Sequence, residues 1–194
     1  MLQAVRAALA VKTSRLSHLG LFRINTVRRF ARRDDGAAAV DFGMVAAPFL
    51  ALMFAIMETA LVFFAGQTME TAVADSARLI MTGQAQSQSF DAAAFKTSVC
   101  SKIGGLFNCA GGLYVDVKTY SSFGSVDNSS PVDANGQLKT GSFGYTPGGP
   151  GDIVVVRLFY QWPIIVTKFH YDISNLSGSK WLLSATASFQ NEPY

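Results

Sequence analysis

Hydrophobic and polar positions divide the chain into two unlike halves. From Phe42 to Met57 sixteen residues run without a formal charge, Glu58 interrupts, and apolar residues resume to Ala65. Leu, Met, Phe and Ala dominate the run, so helix propensity and hydropathy point the same way. As a helix, residues 42–65 extend roughly 36 Å at 1.5 Å per residue. That is enough to cross a hydrocarbon core about 30 Å thick with some tilt. Pro48 fits such a helix where neighbours satisfy the freed carbonyl. The competing reading, a helix buried in a soluble core, is usually shorter than this run. Over residues 66–81 the pattern changes. Met69, Val73, Ala77 and Ile80 form an apolar stripe with spacings of four and three, while Glu70 and Asp75 take other faces. One continuous helix is expected from near Ala37 to about Thr82, its outer part laid on a folded domain, with Gly83 as its stop.

Past that stop the signals shorten. Residues 84–89 are a polar connection, and residues 90–103 (FDAAAFKTSVCSKI) predict a second helix capped by Ser89 and ended by Gly104-Gly105. Residues 113–120 (LYVDVKTY) alternate apolar and polar positions, as a half-buried strand does. Residues 121–151 are rich in Gly, Ser, Asn, Asp and Pro, and predict a long surface loop. Residues 153–161 (IVVVRLFYQ) are the strongest strand, which Pro163 ends or places near an edge. Residues 180–191 give the last strand, with Leu183, Ala185, Ala187 and Phe189 on one face. The fold class is α+β: a long N-terminal transmembrane helix continuing into a small domain with a largely antiparallel sheet. The expected divisions are residues 1–36 as a basic leader, 37–83 as the transmembrane and extended helix, and 84–194 as the α+β domain.

Charge adds topology. The 194 residues carry a formal charge of +3, yet residues 1–36 hold eight Arg or Lys against two Asp, and the remainder is net acidic. Arg28, Arg29, Arg32 and Arg33 stand before the apolar run, so the positive-inside rule places residues 1–35 in the cytoplasm. The bulk of the chain, after about residue 66, then lies across the membrane. The basic excess belongs to the leader and gives no sign of nucleic-acid binding by the main domain. Residues 1–21 fit a basic amphipathic helix resting on anionic lipid, a dispensable leader, or a start codon chosen too early. Arg28-Arg29-Phe30 also invites a twin-arginine signal, a reading disfavoured by the length and charges of the span. Two cysteines, Cys100 and Cys109, fit one disulfide in an oxidising compartment.

Candidate chemistry is sparse. The part beyond the leader has a single histidine, His170, read as a packing or surface residue. There is no GxSxG, no HExxH, and no GK[ST] after the Gly-rich stretch. Two cysteines at this spacing, without nearby His, do not read as a metal site. Trp162 and Trp181 read as core or interface aromatics. No enzyme activity and no cofactor are expected.

The amino-terminal boundary of the apolar run carries a resemblance. Gly36 is followed by small residues, with an acid, Asp41, at the fifth position after it, then Phe42 and a long apolar helix. This looks like the processing site of type IV pilin-like proteins. The stretch GAAAVDFGMVAAPFLALMFAIMETALVFF, with Pro48 and Glu58, is similar to the start of TadE-like minor pilins (pseudopilins) of the Tad tight-adherence system. The end SATASFQNEPY resembles the way many of them close. TadF-like relatives share the amino-terminal pattern. Asp stands at position 41 where Glu is usual, which keeps the charge and shortens the reach.

The resemblance implies cleavage between Gly36 and Ala37 by a prepilin peptidase on the cytoplasmic side. It also implies packing of the helix among other pilins of a Tad (Flp) pilus, with roles in assembly and surface adhesion. Partners would then be the peptidase, other Tad pilins and inner-membrane lipid. The location would be the inner membrane, with the C-terminal domain periplasmic or carried into the pilus. Glycine at 36 lets an extended backbone enter a cleft without side-chain clash, and Ala37, Ala38 and Ala39 permit close helix packing in lipid. Asp41 lies roughly one turn from the new amine of Ala37, so a shifted neighbour's amine can pair with it and set register. An ordinary interfacial acid is the alternative. Glu58, about 25 Å beyond Asp41 along a helix, reads either as a carboxylate snorkelling to the outer interface or as a contact to another subunit. Two function classes result: a cleaved pilin-like subunit, or an uncleaved single-pass envelope protein whose outer domain binds a partner.

Overall fold

The computed structural model describes residues 36–165 and 173–194. The basic leader with Arg28, Arg29, Arg32 and Arg33, and His170, lie outside these. Helix α1 runs unbroken through Pro48 from Ala37 to Met81. A one-turn helix α2 (Gln84–Ser87), helix α3 (Ala92–Ile103) and a second one-turn helix α4 (Cys109–Gly112) follow. The antiparallel sheet has strands β1 (Leu113–Tyr120), β2 (Ile153–Pro163) and β3 (Lys180–Gln190), in the order β1-β2-β3. The expected α+β class, long helix and antiparallel sheet are present.

The chain divides into two compact units between Leu50 and Ala51. In the first, the described residues are helical from Ala37 and predominantly exposed. In the second, the core gathers Val62, Met69, Val73 and Ile80 of α1 with Phe95 and Val99 of α3 and Val154, Val156 and Leu158 of β2. Met69, Val73, Ala77 and Ile80 are all buried, as their spacing predicts. Ala65, Ala72 and Ser76 complete the stripe. Small residues there let the helix approach the sheet closely: a Cβ on Gly66 would stand 4.0 Å from Leu183 Cδ2.

Gly83 ends α1 in the left-handed region at φ 75°, with its N–H donating to the Ile80 carbonyl. The backbone N–H of Glu192 donates to the Met81 carbonyl at 2.9 Å. The Tyr194 ring lies so close to Gly83 that any Cβ there would collide with it. The chain's last residues thus close off the helix end, satisfying a carbonyl the helix itself leaves open.

Two local expectations need correction. The connection at residues 84–89 contains the turn of α2. The cap of α3 is Asp91 and not Ser89: its Oδ1 accepts from the Ala94 N–H at 2.7 Å, while Ser89 takes a left-handed conformation. Asp91 wins because it stands three residues before the open amide, where a short acceptor reaches it. Phe90 and Phe95 then occupy the two positions of a hydrophobic staple, Phe95 in the core and Phe90 packed against it. Gly104 ends α3 as predicted.

Residues 121–151 form the expected loop, but its last part is fastened. Gln86 Nε2 donates to the carbonyls of Pro147 and Gly148, Asn191 Nδ2 to those of Pro147 and Gly149, and Thr119 Oγ1 to that of Thr146. A parallel bridge between Val117 and Tyr145 covers the outer edge of β1, blunting an edge that would otherwise offer open backbone groups.

Candidate functional site

Gly36 stands immediately before α1, and Ala37 is its first residue. Among the described residues, a Cβ added to Gly36 would meet nothing within 4 Å, and its φ is not left-handed, so none of them demands glycine there. Asp41 and Phe42 follow about one turn into the helix, both exposed, Phe42 at 75%. Gly36, Ala37, Asp41 and Phe42 thus lie within seven residues, all exposed among the described residues.

Glu58 has a different setting. It is buried, and its Oε1 accepts a hydrogen bond from the backbone N–H of Ile165, just after β2. The bond ties α1 to the residue two positions past the end of β2, a contact that neither reading of Glu58 included. The sequence could not show this, because the contact joins positions 107 residues apart.

Cys100 of α3 and Cys109 of α4 form the expected disulfide, with Cα atoms 5.5 Å apart. It fixes the end of α3 to the turn that leads into β1. Trp162 and Trp181 sit opposite each other in the β2–β3 register and pack against the core.

A polar cluster that sequence reasoning missed lies on the sheet face away from α1. Asp116 of β1 is fully buried, directly across from Arg157 of β2. Arg157 donates to Asp116 Oδ2 from Nη2 at 2.7 Å and from Nε at 3.2 Å, and its Nη1 donates to the Asp127 carbonyl. Gly144 N–H donates to Asp116 Oδ1, and Lys118 Nζ stands 3.5 Å from Oδ2. A groove of about 400 Å³ opens beside Arg157, lined also by Asp127, Val155 and Phe159. All three guanidinium nitrogens are engaged with protein, so the cluster works as a clamp between sheet and loop. The available signal was an acid in one predicted strand and an arginine in the next; the register that pairs them was missing.

Two groups of the loop have displaced pKa values. Asp127 is held below the ordinary carboxylate value, mainly by the backbone N–H of Ser129, which donates to it at 2.8 Å. Burial, and then the charge of Asp91, push Tyr145 up to about 12. Its hydroxyl is enclosed without a hydrogen-bond partner among the described residues, and its ring centroid lies 5.6 Å from that of Phe95.

Together these features define a class: among the described residues, one helix long and apolar enough to cross a membrane, running into a small α+β domain. That arrangement is consistent with a single-pass membrane protein. Residues 36–78 match the family model described as TadE-like protein, consistent with a TadE-like, pilin-related protein. The match begins at Gly36 and takes in Ala37, Asp41, Phe42 and Glu58; the sheet lies beyond it. No curated protein and no solved structure matches the chain significantly.

Proposed function

We propose that the protein is a TadE-like minor pilin (pseudopilin) that takes part in assembling a Tad pilus and in the adhesion the pilus serves. A prepilin peptidase cuts it between Gly36 and Ala37. Asp41 then sets register against the amine of a neighbouring subunit, and Phe42 packs with it. The protein is a substrate of an enzyme and not itself one, and its partners are the peptidase, other Tad pilins and inner-membrane lipid. Residues 1–36 are a cytoplasmic leader, 37–83 the transmembrane and extended helix, and 84–194 a periplasmic domain that can travel into the pilus.

The observation that carries this reading is the coincidence of the family match with one helix of two characters. Residues 36–78 cover the open glycine, the exposed apolar stretch and most of the packed stripe. The unconstrained setting of Gly36 makes a clean test. Gly36→Val leaves the fold undisturbed and should block cleavage, giving a species larger by the leader. Equal gel mobility of variant and wild type, with the peptidase present, would refute processing. Asp41→Ala should still be inserted and cleaved yet yield no pili; normal pili would leave Asp41 an ordinary interfacial acid.

A further inference from the structure

We infer that the groove on the sheet face away from α1 is a binding site for a neutral glycan, with Phe123 as its stacking surface and a row of strand hydroxyls as its polar floor. The groove holds about 400 Å³, within the range of small-ligand sites, about 300–1,000 Å³. Its floor follows from the β2–β3 register. Val155, Arg157 and Phe159 of β2 stand opposite Ser188, Thr186 and Ser184 of β3, and all six line the groove. The three β3 residues share one face at intervals of about 7 Å. The wall is the loop, from Phe123 through Asn128 to Pro131. Arg157 positions that wall: its Nη1 donates to the Asp127 carbonyl, so the groove is formed before any ligand arrives.

Two properties of the lining point to a polyol. Among the described residues, the hydroxyls of Ser184, Thr186 and Ser188 and the amide of Asn128 form no hydrogen bond. Each of these groups both donates and accepts, as a sugar hydroxyl does. Phe123 supplies the second property. It is 56% exposed, the one phenylalanine outside α1 so exposed among the described residues. Its ring does not sit on a slack segment. Residues Phe123–Ser125 form a 3₁₀ turn in which the Ser122 N–H donates to Ser125 Oγ, and that hydroxyl donates to the Ser122 carbonyl. A fixed ring in water beside a row of unspent hydroxyls matches a pyranose, with C–H groups on its faces and hydroxyls at its edge. Charge decides which glycan. Arg157 and Lys118 are balanced by Asp116 and Asp127, so the groove offers no net attraction to an anionic or a cationic chain. The inference goes beyond the pilin reading: the groove belongs to the folded domain, and binding there requires neither cleavage at Gly36 nor assembly.

The test uses the full chain, purified in a detergent without a sugar headgroup. It is passed over immobilised neutral oligosaccharides of glucose, galactose, mannose and N-acetylglucosamine, and over uronate- and sialate-bearing ones. Wild type should bind a neutral member saturably. Phe123→Ala and Thr186→Glu should each weaken that binding about tenfold or more. Thr97→Ala, on α3 and outside the groove, should leave it unchanged. Both groove positions are exposed, and an unchanged thermal melt of each variant separates lost binding from lost fold. Should either variant melt early, Ser188→Glu on the same floor replaces it. Silence across the neutral panel at millimolar sugar, binding that the groove variants retain, or a preference for uronates and sialates would each overturn the inference. None of these results touches cleavage at Gly36, which gel mobility reads separately.

Discussion

Residues 37–57 and 58–81 belong to one unbroken helix, and the rest of the chain treats them in opposite ways. All nine buried positions of the helix fall at or after Glu58. Before it, Phe42, Met44, Val45 and Leu52 are each more than half exposed. The first stretch is apolar on every side, so it presents no preferred face to a protein neighbour and asks for lipid or a ring of similar helices. The second is amphipathic, with Glu70 and Asp75 outward and Met69, Val73 and Ile80 against the sheet. A helix acquires a stripe only where one side has protein and the other water. Hydropathy alone would extend the anchor to Ala65; burial shows the domain taking hold seven residues earlier, at Glu58.

That comparison can be sharpened by asking where the packed region keeps its stability. The largest effect is expected at the buried clamp. Asp116→Ala leaves the mostly buried Arg157 without its carboxylate and should cost about 3–5 kcal/mol. Chemical denaturation of the full chain in detergent measures it, and a change below 1 kcal/mol would reduce the clamp to decoration. Met69→Ala removes a side chain with no exposure in the packed stretch and should cost roughly 2–5 kcal/mol. Next comes the disulfide: Cys100→Ser opens a short loop, for a loss of about 2–3 kcal/mol. The variant should insert normally but be degraded faster, and free thiol labelling of both cysteines in unreduced wild type would contradict the bridge.

Smaller still is an alkaline transition. Tyr145 titrates at about 12 in the fold against an ordinary value of 10. Stability tied to its neutral form is complete below pH 10 and is lost as pH rises toward 12. Tyr145→Phe should blunt that loss while leaving neutral-pH stability unchanged or slightly higher, since the enclosed hydroxyl lacks a partner among the described residues. An identical alkaline limb in the variant would assign it to other groups. The smallest effect belongs to Met57→Ala. Met57 is 53% exposed on the uncovered stretch, so domain stability should move by less than about 0.5 kcal/mol. A loss matching that of Met69→Ala would abolish the distinction between the two stretches.

Much of this was legible in the sequence because it depends on local pattern. The 3.6-residue stripe from Met69 to Ile80, the stop at Gly83 and the alternation of the strands each appear within a short window, and the structure has them. The disulfide followed from compartment and count. What escaped depends on long-range register. Asp116 sits at a polar position of an alternating strand and Arg157 within an apolar one; only the cross-strand pairing and the loop above bury Asp116 against Arg157. The bond to Glu58 could not be foreseen because its donor is a backbone N–H at Ile165, and no side-chain pattern announces a backbone donor. The closure of the helix end by Glu192 and Tyr194 is of the same kind. At Gly36, nothing among the described residues requires a glycine.

The division of the helix has a purpose if its first stretch is freed to pack among other subunits, and amino-terminal sequencing tests that most directly. The protein is extracted from membranes of cells that contain a prepilin peptidase, and its first residues are read alongside its intact mass. The account predicts a sequence opening Ala-Ala-Ala-Val-Asp-Phe, from Ala37 to Phe42, with the mass of the chain lacking residues 1–36. A chain that retains Gly36 and the residues before it, in membranes where another prepilin is cleaved, would contradict it.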